Sequence, residues 1–154
     1  MCEFLDVRRL VAVFVLASVG AGAYLFGSVR FDYSAHFLAG AGGTLILISA
    51  ANMLWSLLSN RWPAAFAYSA PATAAATLAS IGFGLVAEFT VFAAPVADLV
   101  DIVHQSLGAI IVGIACVLLA GSRRSWIAVL VSEGITAGLG LVMIVIGAVL
   151  VGIV

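Results

Sequence analysis

Lysine is missing from this chain, and all six basic residues are arginine. Charge of either sign is scarce: charged residues are 8% of the sequence, where soluble domains carry roughly 25%. So few charges cannot cover a water-facing surface, which excludes an ordinary soluble domain and makes lipid the main solvent. The net charge of −1 and the lack of any basic run argue against nucleic-acid binding and against a polybasic headgroup tether. The only two cysteines, Cys2 and Cys116, are far apart and form no CxxC pair, so a disulfide framework is not expected. Both read as small hydrophobes. An HExxH motif, an internal repeat and a disordered tract are also missing. The absence of lysine, with abundant Ala, Gly and Val, fits a GC-rich genome.

What is present is apolar: 65% of the 154 residues are hydrophobic and the mean hydropathy is +1.31. Apolar runs of about 20 residues read as membrane-spanning helices, because hydrocarbon leaves backbone groups no partners outside a helix or a closed barrel. The expected fold is all-α, a polytopic transmembrane helix bundle forming one domain over residues 1–154. About five spans are expected, near residues 10–29, 34–59, 71–93, 98–120 and 126–154. The third, rich in Ala and Thr, depends most on its neighbours to stay inserted. Trp62 to Ser69 reads as an interfacial helix, with Trp62 and Tyr68 as headgroup anchors. Arg8-Arg9 followed by Ala21-Gly-Ala23 resembles a signal peptide with a cleavage site. The apolar run continues past that point, so an uncleaved anchor is expected.

If the spans alternate, Arg8, Arg9, Arg61, Arg123 and Arg124 fall on one side and only Arg30 on the other. The positive-inside rule then makes the N-terminus cytoplasmic. The expected localisation is the prokaryotic plasma (inner) membrane, multi-pass. The same threading gathers Asp32, His36, Glu88, Asp98, Asp101 and His104 at the outer mouth, which is both histidines and four of the seven acids. Asp98, Asp101 and His104 step by three and Asp101 to Gln105 by four, intervals that stack side chains on one helical stripe. Asp32 and His36 share a face if their helix begins early enough.

Asp98 reads as an N-cap, and Asp32 or Ser34 could serve the second helix in the same way. Glu88, Asp101 and His104 lie about a turn inside the boundary. Ionisable residues there usually face a bundle interior or a wet cavity and mark function. His36, Asp101, His104 and Glu88 could hold a divalent metal such as zinc, which accepts imidazoles with a carboxylate and leaves a place for water. A polar cluster without metal remains an alternative, as does a His–Asp pair moving protons. Ser34 and Ser106 lack the strand–turn–helix setting of a nucleophile elbow. Gly40-Ala-Gly-Gly43, Gly82, Gly84, Gly108, Gly113, Gly134 and Gly138 are expected to let helices pack closely. Glu133 lies about a third of the way into the last span, and no partner for it can be named.

Asp32-Tyr-Ser-Ala-His36 before a Gly-rich apolar helix resembles the DKxxH motif of the VanZ-like membrane proteins. Glu88 resembles that group's glutamate late in a later helix. Asp98-Leu-Val-Asp101-Ile-Val-His-Gln105-Ser-Leu-Gly108-Ala resembles its DxxDxxxNxxGA motif. Order and approximate spacing agree over roughly residues 30–115, and the YjdF-like inner-membrane proteins share the pattern. In this chain Tyr33 replaces the lysine, Val91 the glutamine of ExxQ and Gln105 the asparagine. No arginine precedes Asp98, and His104 is an addition. The resemblance implies a cell-envelope role, associated in the type member with glycopeptide tolerance. Its residues here are Asp32, His36, Glu88, Asp98 and Asp101, with Gln105 the variant position.

The leading expectation is therefore a VanZ-like integral membrane protein with an outward-facing polar cluster that binds or processes a lipid-linked or cell-envelope ligand. Its partners would be the lipid bilayer and other membrane-protein subunits, with no nucleic acid. A second reading is a non-enzymatic accessory subunit packed through small-residue faces. A small proton-coupled carrier is the third. Carriers usually place ionisable groups at the midplane, on broken or repeated helices.

Overall fold

A computed structural model describes residues 7–61, 70–91, 98–119 and 126–152. They form five helices and no strand: α1 (Val7–Gly27), α2 (Phe31–Arg61), α3 (Ala70–Thr90), α4 (Leu99–Leu119) and α5 (Trp126–Leu150). Among the described residues, four segments are long and apolar enough to cross a membrane: Phe31–Trp55, Ala70–Thr90, Leu99–Leu118 and Leu130–Leu150. The described side chains of α1 begin at Phe14. The chain is thus an all-α helical membrane bundle. The expected interfacial segment 62–69 and the connections at 94–97 and 121–124 lie outside the described residues.

One boundary differs usefully from expectation. The second helix starts at Phe31 rather than Ser34, because α1 and α2 are joined by three residues only. Ser28 and Arg30 donate backbone hydrogen bonds to the carbonyls of Tyr24 and Phe26, which closes α1. Arg30 then pairs with Asp32 and donates to Tyr33 Oη at 3.2 Å. The early start places Asp32 and His36 on one face, one turn apart.

α2 is the central helix. It packs against all four others, whereas α5 lies against α2 alone among the described residues. The core is built on Phe37, Leu38, Ala41 and Leu45 of α2, with Val19 of α1 and Val112 of α4. Glycines make this centrality possible, since without a hydrophobic drive in lipid the helices must gain by close contact. A Cβ on Gly108 would lie 2.1 Å from the carbonyl oxygen of Phe37, and one on Gly42 would lie 2.4 Å from that of Gly140. Gly82, Gly134 and Gly138, also expected at helix contacts, have nothing near where a Cβ would stand. They face outward with Phe83, Val131, Ile135 and Val142, which are exposed to the surrounding solvent.

Candidate functional site

Three helices meet along an axis through stripes of spacing four. α2 contributes His36, Gly40, Thr44 and Ile48, α3 contributes Glu88, Gly84, Ser80 and Ala76, and α4 contributes Asp101, Gln105 and Ala109. α2 and α4 run away from the mouth and α3 runs toward it, so the stripes stack in layers. Thr44 Oγ1 donates to Ser80 Oγ at 2.8 Å, in full burial. One layer up, the Gln105 side chain lies where a Cβ on Gly84 would be, and its backbone carbonyl oxygen would be 1.9 Å from a Cβ on Gly40. The two glycines thus make the space that an amide side chain fills.

Above Gln105, His36, Glu88 and Asp101 converge, each offering one ligand atom within 4.8 Å of the others. His36 Nε2 stands 3.3 Å from Asp101 Oδ2. Glu88 is 4% exposed, and its Oε1 accepts the backbone N–H of Asp98 at 3.0 Å. That bond ties the end of α3 to the start of α4 and fixes the carboxylate in place. Asp101 Oδ1 is buried and has no hydrogen-bond partner among the described residues. Asp32, Glu88 and Asp98 all lie near enough to act on Asp101 electrostatically. The nearby cation, Arg30, is engaged by Asp32, whose hydrogen bond and charge raise the guanidinium pKa above its ordinary value.

The other expected members occupy distinct roles. Asp98 is the N-cap of α4, its Oδ1 accepting the N–H of Val100 at 2.8 Å. Asp32 lies in the first turn of α2 and does not cap it from outside. Its Oδ1 accepts the N–H of Tyr33 at 3.0 Å. Ser34 is buried in that turn. His104, expected beside Asp101, turns away from the three ligand residues. Its ring stacks on Tyr33 at a centroid distance of 4.4 Å and meets Phe26 edge-on at 4.5 Å. Its Nδ1 lies 2.8 Å from the carbonyl oxygen of Val100, which assigns the proton to that nitrogen. Spacing along α4 alone could not reveal this, because an aromatic niche made by α1 and α2 turns the ring.

Sequence reasoning placed Gln105 at the site but missed the layer beneath it. Thr44 and Ser80 gave no motif, yet each lies a multiple of four from a site residue, His36 and Glu88, and that interval was the available signal. Glu133 sits apart. The α2–α5 register is fixed by Gly42 against Gly140 and by Ala35 against Gly147. Extended by seven residues, it sets Glu133 level with Ser49, on the far side of Ile48 from the mouth.

Comparison with family models, curated proteins and solved structures yields no match to this chain.

Proposed function

We propose that this chain is a VanZ-like protein of the prokaryotic plasma membrane that binds or processes a lipid-linked or cell-envelope ligand at an outward-facing mouth. The observation that carries the reading is the approach of His36, Glu88 and Asp101 from three different helices to within one ligand's reach. The motif positions behind the VanZ-like resemblance, Asp32, His36, Glu88, Asp98, Asp101 and Gln105, lie at or directly beneath one end of the bundle, which favours their forming one site. Outward orientation is supported by the arginine distribution, with Arg30 alone on the side of the mouth. Ile48 and Ala76, both buried beneath the Thr44–Ser80 layer, close the axis below the site. A site closed on one side suits capture from the outer leaflet better than carriage across the membrane.

The test is binding of a polyprenyl phosphate, against phosphatidylcholine as control, to protein purified in mild detergent and read by native mass spectrometry. Selective retention of the phosphate lipid in wild type, lost in Asp101→Asn, is expected. Equal retention of both lipids, or no effect of the substitution, would sink the reading. A Pro95→Cys variant labelled only from the cytoplasmic side would sink the orientation.

The accessory-subunit reading keeps one favouring observation: Gly134 and Gly138 form an open small-residue face on α5. A stable partner that co-purifies with wild type and is lost on Gly138→Leu would favour it.

A further inference from the structure

We infer that His36, Glu88 and Asp101 hold a divalent transition-metal ion, Zn²⁺ or Mn²⁺ by the chemistry of the donors. The inference deepens the reading of the mouth as a binding site, and it rests on that reading without depending on which ligand is bound.

Geometry is the first argument. His36 Nε2 and Asp101 Oδ2 are 3.3 Å apart. A charge-assisted N–H···O bond closes to about 2.7–2.9 Å. Two ligand atoms on arms of about 2.1 Å, meeting at a tetrahedral angle, stand about 3.4 Å apart. The observed spacing fits two ligands of one small cation as well as it fits a long ion pair. Glu88 offers a ligand atom from the third helix within 4.8 Å of the other two, a gap that closes by a side-chain adjustment when all three share one ion with arms of about 2.1 Å.

Charge is the second argument. Asp32, Glu88 and Asp98 act electrostatically on Asp101 beside His36, and Arg30 is engaged by Asp32. A carboxylate cluster with Asp101 Oδ1 buried and without a partner among the described residues is costly beside hydrocarbon unless protons or a cation neutralise it, and a divalent cation would also supply the missing partner of Oδ1. The imidazole favours Zn²⁺, and the two carboxylates also suit Mn²⁺, whereas Ca²⁺ and Mg²⁺ prefer all-oxygen sites.

Support from behind is the third. Ligand residues need partners that hold them in orientation. Glu88 is held by the Asp98 N–H, and the floor of the cluster is the Gln105 side chain, seated against Gly84. Three protein ligands leave an open coordination position. An anionic lipid headgroup would be repelled by the carboxylates alone, and that open position gives it a place to bind.

The experiment is elemental analysis of protein purified in mild detergent without chelator, then stripped and titrated with Zn²⁺ and Mn²⁺. The variants are His36→Ala, Asp101→Asn and His104→Ala, each checked for helicity and a single elution peak. Wild type and His104→Ala are expected to hold about one metal ion per chain, the usual stoichiometry of a three-ligand site. His36→Ala and Asp101→Asn should bind at least ~10-fold more weakly, since even outer partners of a metal are worth 10–100-fold. Folded wild type that neither carries nor takes up either metal overturns the inference, as does equal metal in all variants. Metal present without binding of polyprenyl phosphate counts against the ligand reading and leaves the metal site standing. Lipid bound by folded protein that takes up neither metal overturns the metal site and leaves the ligand reading standing.

Discussion

Gly40 of α2 and Gln105 of α4 touch backbone to backbone: a Cβ on the glycine would stand 1.9 Å from the Gln105 carbonyl oxygen. This contact sets how close the two helices come and so brings His36, one turn above Gly40, beside Asp101, one turn above Gln105. The obstructing atom belongs to backbone, so no side-chain rotation can relieve a Gly40→Ala substitution and the helices must separate. The expected result is a loss of at least about 1–3 kcal/mol, as for overpacked cores, read as a lower melting temperature in detergent. Gly82→Ala, with open space around it, should leave the melting temperature unchanged.

The Thr44–Ser80 bond is the second joint of the same axis. It is fully buried, with a separation of 2.8 Å. Interhelical bonds of this type in membranes measure about 0.6 kcal/mol on average and up to about 1.7. A double-mutant cycle with Thr44→Val and Ser80→Ala should return a coupling in that range. A coupling near zero would mean that the two hydroxyls do not pair in the membrane.

Asp98 carries two separable roles. Its side chain caps α4 through Val100, and its backbone N–H anchors Glu88. Asp98→Ala should remove only the first, costing about 1 kcal/mol as N-cap losses do. Asp98→Asn, which can still cap, should restore most of that stability. Denaturant titration of the three proteins distinguishes them.

The outward face of α5 should tolerate change that its inner face does not. Gly140 packs on the Gly42 carbonyl oxygen, where a Cβ would be 2.5 Å away, whereas Gly134 and Gly138 meet nothing. Gly140→Ala should loosen α5 from α2, seen as faster proteolysis of the last helix. Gly134→Ala and Gly138→Ala should behave as wild type.

These contrasts show where sequence reading succeeds and where it stops. Hydropathy alone predicts the helical membrane bundle, since apolar runs of that length have few other solutions. The convergence at one mouth followed from alternation of the spans, and the structure brings His36, Glu88 and Asp101 together. The side-chain direction of His104 was not legible, because it depends on Tyr33 and Phe26, supplied by other helices. Nor could glycines be sorted by sequence: Gly84 and Gly82 are two residues apart, yet one faces Gln105 and the other faces outward. That distinction comes from helix rotation, which the weakly patterned α3 sequence does not specify.

The central claim is that three residues from three helices act as one site. The most direct test is the affinity for polyprenyl phosphate of His36→Ala, Glu88→Gln, Asp101→Asn and the triple variant, each shown to be folded. Residues that act as a unit are strongly non-additive. The account predicts that each single substitution removes most of the binding and that the triple is no weaker than the weakest single. Three small effects that simply add, or an affinity indifferent to all of them, would contradict it.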